Sequence, residues 1–180
     1  MPNGPFAIAM PFDEIAADPA ELARRYGRLV FASAYRLLGD AAAAEDVQQD
    51  VFVRLLERTP AGVTSWPAYL RASAARAAID RLRKLRRWRR LLPMLRALRD
   101  DAPPADAATL SAQRARALRE AIALLPKREA ECFVLRHLEG LDGRSVAAAL
   151  DITENHVGVL LHRAVRRLTQ SLADFPSLPE

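Results

Sequence analysis

Apolar residues recur every three or four positions along most of this chain, and each such stripe is closed by a residue that stops a helix. Leu22, Tyr26, Leu29, Val30 and Leu37 form the first stripe, which Gly39 ends as a left-handed cap. Asp40 opens a second helix over 41–58, with Val47, Val51, Phe52, Leu55 and Leu56 on its buried side and Thr59-Pro60 as its stop. Ser65 caps a long third helix from 66 to about 92, in which Ala72, Ala75, Ile79, Leu82 and Leu85 make the buried stripe and Ala permits close helix approach. Gly is scarce, and Val, Ile and Thr do not cluster in alternating runs, so the fold class is all-α.

The periodicity lapses after Pro93, and Asp100, Asp101, Pro103, Pro104 and Asp106 mark a linker. The expected organisation is a leader over 1–20, a helical domain over 21–92, a flexible linker over 93–108, a second helical domain over 109–174 and a tail over 175–180. In the second domain one helix runs to Leu125, and another opens at Pro126 and ends at Gly140. Asp142 caps a short helix to Leu150, and Thr153 caps a last one to about Asp174. Asp151-Ile152-Thr153 is as short as the turn of a helix-turn-helix, and Asp151 tolerates the left-handed conformation.

In that pair, Val146, Ala147 and Leu150 are expected to face Val157, Leu161, Ala164 and Leu168. The last helix then presents Asn155, His156, Val159, His162, Arg163 and Arg166 outward. In a major groove Asn pairs with adenine, Arg with guanine, and Val meets a thymine methyl. The plainer alternative is a helical hairpin with a solvated polar face. Gly158, Val159 and Leu160 stand where cations would help. The basic charge is concentrated elsewhere: from Arg71 to Arg99 there are eleven Arg or Lys residues and one acid, Asp80. Arg71, Arg76, Arg81, Arg83 and Lys84, with Trp66 and Tyr69, combine cations for phosphates with aromatics that stack on unpaired bases. A charge run also serves simply as a solvated face.

Glu45, Asp46, Gln49 and Asp50 make an acidic-polar face on the second helix that suits either a basic partner or solvent. No His or Cys neighbours it, and His156 and His162 lack ligand spacing, so neither a metal nor another cofactor is expected. No phosphate loop or nucleophile elbow is present, and an enzyme is not expected. The lone Cys132 sits in an apolar run and reads as a core residue of a protein in the reducing cytoplasm. The first residues lack a basic n-region, and no run spans a bilayer, so no membrane insertion is expected.

Leu37 to Glu57 (LLGDAAAAEDVQQDVFVRLLE), Tyr69 to Lys84 (YLRASAARAAIDRLRK), Leu125 to Leu141 (LPKREAECFVLRHLEGL) and Leu161 to Leu168 (LHRAVRRL) together resemble extracytoplasmic-function sigma factors of bacterial RNA polymerase. The resemblance implies that Glu45, Asp46, Gln49 and Asp50 grip the beta-prime clamp of the polymerase core. It implies that the loop 60–65 and Trp66 to Lys84 open the minus-ten element. The second domain would dock on the beta flap and read the minus-thirty-five element, and an anti-sigma protein would hold the factor in check. Arg76 stands where the family usually has Asn, and Gly158-Val159-Leu160 replaces Lys-Ser-Arg. Arg144 and Ser145 replace Glu residues, and Arg144 is positioned to regain a phosphate contact. Two other readings are a free-standing helix-turn-helix regulator and a sigma-like decoy that sequesters an anti-sigma protein.

Overall fold

The computed structural model describes residues 18–96 and 110–173. Residues 1–17, 97–109 and 174–180, which hold most of the expected leader, the Pro-containing acidic linker and the tail, lie outside the described residues. All regular structure among the described residues is helical, as the sequence patterning requires.

Helix α1 (Pro19–Leu38) starts where the Asp18 carboxylate accepts the Ala20 N–H at 3.0 Å, with Pro19 in the first turn where its missing N–H is harmless. Gly39, at φ 68°, ends it by donating its N–H to the Tyr35 carbonyl at 2.7 Å. A Cβ there would meet only the movable end of the Arg119 side chain, so it is the left-handed turn that calls for glycine. Asp40 accepts the Ala43 N–H at 2.7 Å to open α2 (Ala41–Glu57). The loop then leads to Ser65, whose hydroxyl accepts from Ala68 at the start of α3 (Trp66–Arg96). That helix runs past Pro93, several residues beyond the expected end near Leu92.

In the second half, α4 (Leu110–Leu124) is followed by α5 (Lys127–Phe133), which passes directly into a π-helical turn over Val134–Leu138. The Glu139 N–H donates to the Val134 carbonyl five residues back at 3.0 Å, and Gly140, at φ 69°, reverses the chain. Asp142 accepts the Ser145 N–H at 2.7 Å and caps α6 (Gly143–Leu150). Asp151 takes the left-handed conformation, φ 54° and ψ 55°, as expected of the turn. Thr153 accepts the His156 N–H at 3.3 Å to open α7 (Glu154–Ala173).

Two cores form, and α3 contributes to both. Leu70, Ala74 and Ala77 face α1 and α2, where Leu22, Val30, Val47, Val51, Phe52 and Leu55 close the first. Ala72, Ala75, Ala78, Ile79 and Leu82 face the other way, into a second core with Ile122, Leu125, Val134, Leu135, Val146, Leu150, Val157 and Leu168. The two expected modules therefore pack against each other through one shared core. Ala permits this because it keeps the helix axes close. Cys132 is fully buried in that core, and burial pushes its thiol up to about 11, so it stays a neutral thiol at neutral pH.

Three expected core positions differ. Leu85 is 44% exposed, because the packed stripe of α3 stops at Leu82 and Leu85 lies at a cleft facing α4. Leu56 is 67% exposed, since Leu55 takes the inward position on α2. On α7 the seam is Val157, Leu160, Ala164 and Leu168, with Leu161 only partly buried at its edge.

Ile79 is completely buried in the shared core, so Ile79→Ala should cost about 2–5 kcal/mol of unfolding free energy, read by urea denaturation. The Ser145 backbone N–H, then its side chain, holds the Asp142 carboxyl below the ordinary range. Its cap therefore stabilises α6 above that range, and the contribution disappears as pH falls through the lowered value. Asp142→Ala should lower the Tm at neutral pH, and the gap from the native chain should close when the carboxyl protonates in acid.

Candidate nucleic-acid interface

The helix-turn-helix holds α7 by its buried seam and leaves the opposite face in solvent. Asn155, His156, Val159, His162, Arg163 and Arg166 are all exposed, as is Arg144 in the first turn of α6. A Cβ on Gly158 would meet nothing within 4 Å, so that position also opens outward. Leu160 behaves differently: at 6% exposure it is a core residue, and the reading face lacks cations only at Gly158 and Val159. Arg167, also exposed, is paired, its Nε 3.1 Å from the buried Glu129 carboxylate. The exposed face thus combines an amide, two imidazoles and two free-standing guanidinium groups around a small apolar centre. Such a face suits the edges and phosphates of a duplex groove.

The basic stretch of α3 is divided between solvent and the second half of the chain. Trp66 and Tyr69 are half-buried at its start, their rings edge to face with centroids 5.8 Å apart. Lys84 is exposed, and Arg81 pairs with Asp46 of α2 at 2.6 Å, joining a residue expected on the DNA face to one expected on the polymerase face. Arg83 donates to the Leu125 carbonyl at 2.6 Å. Arg76 donates to the Ala149 carbonyl at 3.2 Å and lies 3.6 Å from the Glu131 carboxylate. Arg71 Nε lies 3.6 Å from Glu139. Three cations expected to meet DNA are therefore directed at the second module.

Glu131 and Glu139 are the site residues that periodicity did not single out. The Glu139 carboxylate, 1% exposed, accepts from Ser33 Oγ at 2.7 Å and from Arg36 Nε and a terminal nitrogen at 3.1 and 2.7 Å. Glu131, 2% exposed, sits between Arg76 and Arg128. Their one sequence signal is an acid within an apolar run, in AECFVL and RHLEGL. A buried acid of that kind requires a cation, which the sequence could not place.

On α2, Glu45, Asp46, Gln49 and Asp50 are all exposed. Val53 and Leu56, 51% and 67% exposed, continue the same face at helical spacing from Gln49. The result is an apolar strip edged with carboxylates, a composition that fits a protein partner carrying cations. Among the described residues no group of His, Cys, Asp or Glu could hold a metal, and no helix is long and apolar enough to cross a membrane.

Two family models match the chain, Sigma-70 region 2 over residues 22–89 and Sigma-70, region 4 over residues 115–168. A Mycobacterium tuberculosis protein described as the probable ECF RNA polymerase sigma factor SigI is 27% identical over 161 residues, covering 86% of this chain and 56% of the relative. The ECF RNA polymerase sigma factor BldN of Streptomyces coelicolor is 30% identical over 156 residues, 83% of this chain and 58% of that protein. The chain thus spans little more than half the length of these curated relatives. Among solved structures, the sigma factor RpoE in complex with the anti-sigma factor NepR from Bartonella quintana superposes with a TM-score of 0.52 at 16% identity. That likeness covers 87% of this chain and 98% of the other, and it concerns the fold. With matches to region 2 and region 4 in that order, and ECF sigma factors as its relatives, the chain belongs to the sigma-70 family, in its extracytoplasmic-function group.

Proposed function

We propose that the chain is an alternative sigma factor, which binds core RNA polymerase and directs it to a set of promoters. The observation that carries this reading is the combination in one chain of a capped helix-turn-helix with an open polar face and a basic helix fronted by two aromatics. Neither part alone distinguishes a sigma factor from another DNA-binding protein.

On this reading residues 21–92 act as the region 2 domain and residues 109–174 as the region 4 domain, with 93–108 between them. The α2 face of Glu45, Asp46, Gln49 and Asp50, with Val53 and Leu56 beside it, docks on the beta-prime clamp. Trp66 and Tyr69 stack on bases of the melted minus-ten strand, while Arg71, Arg76, Arg81, Arg83 and Lys84 hold its phosphates. The second domain sits on the beta flap and lays α7 in the major groove of the minus-thirty-five element. There Asn155 pairs with adenine, Arg163 or Arg166 with guanine, and Val159 meets a thymine methyl. Arg144 takes a phosphate from the first turn of α6. The apolar centre of α7 limits its own grip, and polymerase compensates by holding the helix at high effective concentration over the promoter.

The factor performs no chemistry itself and lends specificity to the polymerase, in the cytoplasm where that enzyme works. An anti-sigma protein is the expected inhibitor, in keeping with the Bartonella sigma factor solved with NepR.

Run-off transcription with purified core polymerase tests the reading. A promoter-dependent product should form only when core and this chain are combined, and absence of product on every template would refute it. A footprint by the chain alone as strong as with core would favour a free-standing regulator instead. Asp50→Arg should weaken core binding at least ~10-fold, because it places like charges together at the clamp. Arg144→Ala should weaken holoenzyme binding to promoter DNA and reduce the slope of log affinity against log salt by about 1.

A further inference from the structure

We infer that the cleft between the far end of α3 and α4 is a binding site for a small polyphosphate, a nucleoside di- or triphosphate whose phosphates lie on arginines of both helices. The site does not depend on the sigma-factor reading.

The buried stripe of α3 changes character beyond Leu82. At the same helical spacing it continues as Leu85, Arg86, Arg89 and Arg90, and α4 faces it with Arg116, Arg119, Glu120 and Ala123. With Leu38, these side chains line a cleft of about 330 Å³, at the lower end of the range of small-molecule sites. Arg86, Arg89 and Arg90 are also the part of the basic stretch that the promoter contacts leave unassigned.

Like charges held side by side repel, so five guanidinium groups around one cleft call for an anion. Among the described residues the cleft supplies one, Glu120, which Arg89 and Arg116 share at 3.3 Å each. No carboxylate of the described residues pairs with Arg86, Arg90 or Arg119. Five arginines and one carboxylate leave four positive charges. One phosphate group carries about −1.5 to −2 at neutral pH, so a single phosphate leaves half of that charge uncompensated and a second neutralises most of the rest. Guanidinium forks take phosphate oxygens in pairs, which gives the site direction as well as charge.

Two features set this cleft apart from a solvated basic face. Its cations stand on opposing walls, and one of them is held in place. The Arg119 guanidinium lies against Gly39, where the last carbonyls of α1 present the negative end of the helix dipole. The floor, in contrast, is apolar. Leu82 and Ala123 belong to the core, Leu38 packs against it, and Leu85, 44% exposed, leaves apolar surface uncovered beside the arginines. Phosphates gain nothing from such a floor, whereas a base or a ribose does. A cleft of this volume holds one nucleotide-sized molecule and leaves the rod of a duplex outside.

The full chain is titrated calorimetrically at ~0.15 M salt with ADP, GDP, AMP and inorganic pyrophosphate as probes. ADP or GDP should bind with a Kd below ~100 μM and at least ~10-fold more tightly than AMP. Arg86→Ala and Arg119→Ala should each weaken that binding at least ~10-fold, and Arg90→Ala, at an exposed position outside both cores, should do the same should either of them fold poorly. Arg87→Ala removes an equal charge on the side of α3 toward α2, and should change the affinity less than ~2-fold. Leu85→Asn should erase the advantage of ADP over pyrophosphate. Failure of both diphosphates to bind, AMP bound as tightly as ADP, or an equal loss in Arg87→Ala would overturn the site. Pyrophosphate bound by the native chain as tightly as ADP would overturn its assignment to a nucleotide. A single-stranded oligonucleotide weakened by Arg90→Ala, with no nucleotide bound, would give the cleft to the nucleic-acid path instead. Run-off transcription is a separate readout, so this site and the sigma-factor reading stand or fall independently.

Discussion

Helix α3 is buried on two sides by different parts of the chain, and the remainder of the structure is arranged around that fact. Leu70, Ala74 and Ala77 complete the bundle with α1 and α2, while Ala72, Ala75, Ile79 and Leu82 support the second module. A helix with two apolar faces has only narrow strips left for polar groups. Arg71, Arg76 and Arg83 occupy those strips at the boundary, partly covered and within reach of whatever packs on the second face. The same spacing that gives α3 two cores therefore gives the junction its cations.

Such cations dictate the polar chemistry of the contact. A carboxylate as covered as Glu139 is costly to desolvate, and its three donor atoms, Ser33 Oγ and two nitrogens of Arg36, offset that cost without making the pair a strong source of stability. What the pairs contribute is register: Glu139 fits only where Ser33, Arg36 and Arg71 converge, and Glu131 only between Arg76 and Arg128. The π turn matters here, because it shifts the end of α5 by one residue and delivers Glu139 just before Gly140 turns the chain away. Module packing consequently takes up guanidinium groups that the proposed promoter contact would also use.

Local features were legible in the sequence to a useful depth. Asp40, Asp142 and Thr153 cap the helices expected of them, Gly39 and Gly140 end theirs, and Asp151 adopts the left-handed turn. These signals work because each depends on atoms within four residues. The errors share another origin. Leu56, Leu85, Leu160 and Leu161 all sit at the margin of an apolar stripe, where periodicity alone permits either direction and the neighbouring helix decides. Leu160 is the instructive case, since its place among the residues of the reading face suggests a lost DNA contact while the fold makes it a core residue.

The sequence by itself determined the helices, their ends, the all-α class and the exposed face of α7, because hydrophobic period and capping are local properties. It also located the basic and acidic stretches, since charge is simply counted. Only the tertiary structure decided which charges are free. Arg71, Arg76 and Arg83 look like any exposed cations until Glu139, Glu131 and the Leu125 carbonyl are brought to them from 42 to 68 positions away along the chain. A charge's partner depends on distance through space, and no local pattern records that distance.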